Sequence, residues 1–205
     1  MSDKIFITLF IFFIMPLIIL AQAPDPAKLS YNRAIQFAVD GDFSLARSAF
    51  QETLGIDSLY IPAKLNLTVI DDVDSLKIDK TAALHYFRAI ELGNRDSLSA
   101  KIEQLDKAIQ GSPDFGLAYN ERGISWAKIM EYEEAIANYD QAILYLPESP
   151  EIYFNKALSC DNIEKFTDAQ SAYLKFLEYT PQDYLWYIIY ARKRIHEINQ
   201  LNAQE

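Results

Sequence analysis

The amino-acid sequence predicts an all-α protein built as an array of antiparallel helix pairs. Glycine and proline are scarce, at six and eight in 205 residues, and this composition favours helix over turn-rich β structure. The C-terminal half also matches itself when shifted by about 34 residues, a period typical of stacked helical repeats. Because half of the residues are hydrophobic, the chain can bury the continuous core that stacking requires.

The segment 1–23 is expected to be an export signal rather than part of the fold. Lys4 precedes an apolar run from Ile5 to Leu20, and the segment Ala21-Gln22-Ala23 follows. A charged start, an apolar middle and small residues at the end are typical of a secretory signal peptide. An uncleaved membrane anchor is the alternative, because the run lies just below the usual transmembrane length. Either outcome predicts an exported protein, periplasmic or secreted, that contacts the membrane only through this segment.

The repeat period is carried by residues of matching character. The aligned positions are Tyr119, Tyr153 and Tyr187, then Gly123, Ala157 and Ala191, then Tyr139 and Tyr173, and finally Pro147 and Pro181. Within one period, Tyr119, Gly123 and Trp126 recur at helical spacing and share a face of a first helix over 116–128. A second helix is predicted over 131–145, with Ala135 and Tyr139 on its packing face. Proline after that helix forces a turn into the next unit.

The order aromatic, small, aromatic, then alanine, aromatic, alanine and proline resembles the tetratricopeptide repeat (TPR). The segment 118–147, AYNERGISWAKIMEYEEAIANYDQAILYLP, is a close copy. The resemblance covers nearly all of 27–200, firmly over 114–195 and weakly before that. It implies a right-handed superhelix whose first helices line a concave side. The predicted organisation is a leader over 1–23, divergent repeats over 24–113, two well-matched units over 114–181, and a capping helix with a polar tail over 182–205.

The pairing of the middle helices stays open from sequence. Ala82, Tyr86 and Ala89 reproduce a second helix, for which 62–71 would be the first, with an acidic loop from Asp71 to Asp79 between them. Alternatively, helices 80–92 and 97–110 pair with each other and leave 62–71 as an odd helix. Lys101 then occupies a position where the repeat has a small residue.

Candidate catalytic and metal-binding groups are few. Cys160 is the only cysteine and is expected to be a small buried hydrophobe. His85 and His196 lie in opposite halves of the chain and are expected to pack or to face solvent. The acidic stretch at 71–79 lacks the glycine and closing glutamate of a calcium loop. No enzyme activity, metal or cofactor is therefore predicted, and a net charge of −10 disfavours nucleic acid.

The resemblance implies a binding surface on the concave side, between the packing residues of the first helices. The predicted partner-binding residues are Leu117, Asn120, Ile124, Phe154, Leu158, Ile188 and Arg192. Asn120 would hold a peptide backbone through its amide, Phe154 and Leu158 an apolar side chain, and Arg192 an anionic group. The alternative is that this apolar row belongs to the core.

The predicted function is that of a non-catalytic scaffold or adaptor in the cell envelope, which binds a peptide or a helix of another protein. A few apolar and aromatic anchors would supply most of the affinity. The alternative is a structural protein that self-associates into homo-oligomers through an exposed apolar edge at the N-terminal end of the array.

Overall fold

The structure is a computed structural model that describes residues 25–93, 97–180 and 184–202. The leader, the closing Pro181 and the last three residues lie outside these ranges. The described residues form ten helices and no strand. These are α1 (Pro26–Val39), α2 (Phe43–Ile56), α3 (Ile61–Asp74), α4 (Lys80–Gly93), α5 (Leu98–Gly111), α6 (Gly116–Lys128), α7 (Tyr132–Tyr145), α8 (Pro150–Asn162), α9 (Phe166–Tyr179) and α10 (Leu185–Asn202).

Short polar segments start and stop the first helix pair. The Asp25 carboxylate accepts a hydrogen bond from the Ala27 amide at 3.0 Å, and Pro26 occupies the first helical position, where no amide hydrogen is needed. Gly41 takes a φ of +83° in the turn after α1, a conformation that glycine adopts without strain. Asp42 then caps α2 by accepting from the Leu45 amide at 3.0 Å.

Four helix pairs account for most of the packing: α1 with α2, α4 with α5, α6 with α7, and α8 with α9. The structure therefore selects the second of the two pairings that the sequence leaves open. α4 is the first helix of its pair, and α3 is the odd helix, which packs on α2 and touches α4 only locally. The α4–α5 contact is close, since an added Cβ on Gly111 would lie 3.1 Å from the Ala82 Cβ.

The core follows the stacking of these pairs. One large cluster of buried side chains runs from α1 to the start of α6, and two smaller ones lie at α7–α8 and at α8–α10. The repeat is visible in equivalent tyrosine stacks within two units, Tyr119 with Tyr145 at 6.0 Å and Tyr153 with Tyr179 at 5.8 Å between ring centroids. Each stack ties the start of a first helix to the end of its second helix.

Two helices extend further than the sequence predicts. α3 continues through the acidic stretch to Asp74, because Val73 is buried and Arg47 on α2 pairs with Asp71 and Asp74. α10 continues to Asn202, with Ile198 fully buried inside the expected polar tail. Its first turns expose Leu185, Trp186 and Ile189. Among the described helices, none combines the length and apolar character needed to cross a bilayer.

Candidate functional site

A cavity of about 280 Å³, here called the inner cavity, lies on the side of the array that the first helices face. Its wall joins residues from several helices and from the segment before α10. The lining residues are Tyr31, Ile61, Pro62, Leu65, Asn66, Tyr86, Ile90, Asn120, Glu121, Ile124, Glu151, Phe154, Asn155, Phe176, Tyr184 and Tyr187. Residues of α3 and α10 contribute to the wall and partly enclose the cavity.

One repeat position supplies much of the wall. Tyr86, Asn120 and Phe154 stand one repeat period apart on α4, α6 and α8, and all three line the inner cavity. Tyr31 lines it from α1, the first helix of the first pair. Because equivalent positions on stacked first helices point the same way, the repeat itself builds this surface.

A buried hydrogen-bond chain closes the N-terminal end of the inner cavity. The Asn66 amide nitrogen donates to the Tyr31 hydroxyl at 2.9 Å, and the Tyr86 hydroxyl donates to the Asn66 carbonyl oxygen at 3.0 Å. All three side chains are buried. The bonds satisfy polar groups that would otherwise be costly to bury, and they fix α3 against the first helices.

Two carboxylates reach the wall of the inner cavity. Glu121 accepts a hydrogen bond from the Lys101 ammonium, with 2.5 Å between Nζ and Oε2. Glu151 lies in the first turn of α8 and accepts from two hydroxyls, Ser149 at 2.9 Å and Tyr184 at 3.1 Å. The first carboxylate therefore has a cationic partner, whereas the second is held by neutral donors.

These surroundings also act on the tyrosine hydroxyls. Burial raises the pKa of both Tyr31 and Tyr86 well above the usual range, and the negative charge of Glu121 raises both further. Both hydroxyls therefore stay protonated, and able to donate a hydrogen bond, at a higher pH than a solvent-exposed tyrosine. Between α6 and α8, the Asn155 amide donates to the Asn120 carbonyl oxygen at 3.3 Å and adds a second polar contact on the wall.

The structure brings three of the seven sequence-predicted site residues together and separates the other four. Asn120, Ile124 and Phe154 line the inner cavity. Leu117 is buried in the N-terminal core cluster, and Leu158 lines a separate polar depression beside Arg194. Ile188 packs against the C-terminal core cluster, and Arg192 is exposed on α10.

Sequence reasoning did not single out Tyr86, Ile90, Glu121 or Asn155 for this surface. Tyr86 and Ile90 stand one repeat period before Asn120 and Ile124 and could have been found by extending the period backwards. Such an extension required reading α4 as a first helix, whereas its alanine spacing also fits a second helix. Glu121 and Asn155 directly follow the predicted residues Asn120 and Phe154, and both members of each pair line the cavity.

The other candidate catalytic and metal-binding groups have structural roles or are not arranged for chemistry. His85 lies 2.8 Å from the Gln104 side-chain oxygen across the α4–α5 pair. Cys160 is buried, and burial raises the pKa of its thiol to about 11, which disfavours the reactive thiolate. Within the described ranges, no group of three or more His, Cys, Asp or Glu side chains is arranged to hold a metal ion.

Together, the stacked helix pairs and the inner cavity define a helical-repeat solenoid. Solved structures share this fold. The first TPR of Spaghetti (RPAP3) bound to the HSP90 peptide SRMEEVD matches with a TM-score of 0.55 at 15% identity, over 62% of this chain and 98% of that chain. The TPR2AB-domain:pHSP90-complex of yeast Sti1 matches with a TM-score of 0.53 at 14% identity, over 84% of this chain and 69% of that chain.

At these identities the likeness concerns the fold alone. The chain has the tetratricopeptide-repeat fold, and the all-α solenoid predicted from the sequence is confirmed. No family model and no curated protein sequence matches this chain.

Proposed function

We propose that this protein is a non-catalytic interaction module that binds a peptide or a helix of another protein in the inner cavity. The observation that supports the proposal is the composition of the wall of the inner cavity. Successive first helices place side chains from one repeat position around an apolar, aromatic cavity with a few amides and carboxylates. Such a combination of apolar anchors with a few placed polar groups is typical of recognition sites.

The two structural neighbours also support a binding role. Both were determined with an HSP90 ligand, a peptide in one and pHSP90 in the other. The proposed partner of this chain is a peptide or protein of different chemistry. Some TPR proteins clamp the acidic tails of chaperones with a Lys and an Asn four residues apart on a first helix. Lys28 and Asn32 have that spacing but the wrong register relative to Ala34, and neither lines the inner cavity.

The proposed location is outside the cytoplasm, either the periplasm or the secreted fraction, with N-terminal membrane anchoring as the alternative. It rests on the signal-like leader of residues 1–23. Fractionation of cells that express the full chain with a C-terminal tag tests it. Recovery in the periplasmic or secreted fraction at the size of residues 24–205 is expected. Recovery in the cytoplasm at full length would refute export.

A pull-down from envelope extract tests the binding role. The bait is residues 24–205, compared with an Ile124→Ala, Asn155→Ala variant that trims two half-buried residues of the wall. The matched control is Leu174→Ala, which trims an exposed side chain of α9. A partner lost by the wall variant and kept by the control supports binding in the inner cavity. A partner kept by both folded proteins would place binding elsewhere.

Self-association is the second candidate function. An exposed apolar face on α10 favours it at the C-terminal end of the array, whereas the N-terminal edge expected from the sequence stays a prediction. Leu185, Trp186 and Ile189 project from α10 with more than half of each side chain exposed. Large exposed apolar groups on one face are typical of interaction surfaces. Light scattering of the wild type and of Trp186→Lys tests this role. A dimer that the substitution converts to a monomer supports it, and a wild-type monomer at high concentration refutes it.

A further inference from the structure

The wall of the inner cavity carries negative charge, which favours a positively charged group on the partner. Of the described residues that line it, the charged ones are Glu121 and Glu151. Lys101, behind the wall, compensates Glu121. Within residues 25–93, 97–180 and 184–202, the side-chain donors to Glu151 are the hydroxyls of Ser149 and Tyr184, so the described wall keeps one negative charge without a cationic partner.

The aromatic residues around Glu151 suit a cation as well. The Phe154 ring lies 5.0 Å from the Phe176 ring and 5.1 Å from the Tyr187 ring, measured between centroids, and all three line the cavity. Aromatic faces attract ammonium and guanidinium groups, most strongly where water is excluded. A long basic side chain can also bury its aliphatic stem against such rings while its charged end meets a carboxylate.

The size of the inner cavity limits how much of a partner can enter. Its volume of about 280 Å³ falls below the range of roughly 300–1,000 Å³ that drug-sized ligands occupy. Residues of α3 and α10 lie on its wall, so the enclosed part takes one side chain while the rest of a bound peptide or helix lies across the opening. One side chain with its immediate backbone is the matching unit.

The unpaired charge of Glu151, the aromatic side chains on the wall and the volume of the cavity all suit the same group. We infer that the inner cavity receives a single basic side chain of the partner peptide. Its stem packs against Phe154 and Tyr187, and its charged end pairs with Glu151. The inference rests on the proposed function, since it names the chemistry of the partner at the same site. Acidic peptides are disfavoured, because the carboxylate of Glu151 would repel an acidic side chain in the cavity.

Fixed-residue peptide pools test the inference. The probes are fluorescein-labelled nine-residue peptides with uncharged ends, with Arg, Gln or Glu fixed at the centre and mixed apolar and polar uncharged residues elsewhere. Fluorescence polarisation at physiological salt measures the apparent Kd for residues 24–205. The Arg pool is expected to bind about tenfold more tightly than the Glu pool, since a charge-assisted pair replaces a like-charge contact.

A matched pair of variants locates the preference. Glu151→Gln removes the charge at nearly constant shape and is expected to reduce the Arg-over-Glu preference to about twofold. The control, Glu103→Gln, removes an exposed carboxylate of α5 and is expected to leave the preference unchanged. A preference that survives Glu151→Gln would overturn the assignment to this residue. The affinities of the wild-type protein for the three pools test the inference by themselves. A variant that fails to fold therefore leaves the test intact.

Other outcomes would separate this inference from the proposed function. Equal or tighter binding of the Glu pool, or no binding of any pool, overturns the basic-anchor inference. The binding role is judged separately by the loss of a partner from the wall variant. Binding of N-acetyl-arginine amide as tight as that of the Arg pool would also overturn it, because the occupant would then be a small molecule rather than a peptide.

Discussion

Lys101 and Glu121 form an ion pair across the boundary between the second and third helix pairs, with 2.5 Å between Nζ and Oε2. The Lys101 side chain is 5% exposed and passes over Gly93, where an added Cβ would lie 3.1 Å from the lysine Cδ. Lysine therefore replaces the small residue of the repeat because α4 ends in glycine. The pair ties α5 to a carboxylate on the wall of the inner cavity.

Removing one member of this pair should destabilise the protein. Lys101→Met leaves Glu121 without its cation, and a loss of about 3 kcal/mol in the free energy of unfolding is expected. Adding Glu121→Leu should recover most of that loss, because no unpaired charge then remains. Urea denaturation of the two single variants and the double variant measures the coupling free energy between Lys101 and Glu121. The control, Lys107→Met, breaks an exposed pair and should cost less than about 0.5 kcal/mol. Losses that simply add would contradict the pair.

Gly123 should not tolerate a side chain. An added Cβ would lie 2.6 Å from Cε1 of the fully buried Tyr139, so a shift of the ring or the helix is required. Gly123→Ala is expected to lower stability by about 2 kcal/mol, and Gly123→Leu by more. Gly55→Ala is the control, since nothing lies within 4 Å of its added Cβ. It should be neutral or slightly stabilising. Equal melting temperatures for Gly123→Ala and Gly55→Ala would refute this contact.

The hydrogen-bond chain through Asn66 should contribute to stability. Tyr86→Phe removes the hydroxyl that donates to the Asn66 carbonyl oxygen, and a loss of about 1–2 kcal/mol is expected because that oxygen stays buried. Tyr145→Phe serves as the control, as Tyr145 is 41% exposed. Chemical denaturation compares the two. A smaller loss for Tyr86→Phe than for the control would contradict the chain.

Stability should fall in alkaline solution. Burial raises the pKa of Tyr31, Tyr86 and Tyr139 in the folded state above the unfolded value of about 10. The folded state thus holds these protons more tightly. The resulting stability is fully present below about pH 10 and is lost as the pH rises above it. Urea midpoints between pH 8 and pH 11 test this, with absorbance at 295 nm reporting ionisation. Complete tyrosine titration near pH 10 in the folded protein would contradict the burial.

Cys160 should resist thiol reagents in the folded protein. The side chain is buried, and its thiol pKa is raised to about 11, so little thiolate is exposed near pH 8. Reaction with Ellman's reagent at pH 8 is expected to be slow in buffer and complete within minutes in 6 M guanidinium chloride. Fast reaction of the folded protein would show that the α8–α9 pair opens readily.

The sequence predicted the regular part of this structure well. Tyr119, Gly123, Tyr139 and Pro147 recur with the period, and the helices predicted over 116–128 and 131–145 agree with α6 and α7 within one residue. The position of α3 could not be predicted, because pairing depends on tertiary contacts that local spacing does not encode. The alanine spacing of Ala82, Tyr86 and Ala89 fits either helix of a pair.

The site was predictable only in part, for a related reason. Asn120 and Phe154 follow directly from the period. The partial enclosure of the cavity depends on α3 and α10, whose placement the period does not give. Lys101 did carry a signal, since a charge at a small-residue position requires a partner. Its partner Glu121 lies on the next helix of the array, beyond the reach of local patterns.

Hydrogen–deuterium exchange on the complex with the captured partner tests the central claim most directly. If the partner binds in the inner cavity, slowed exchange is expected in α6 and α8, around Asn120 and Phe154, with little change in α2 and α7, neither of which contributes a lining residue. Protection confined to α2 and α7 would contradict binding in the inner cavity.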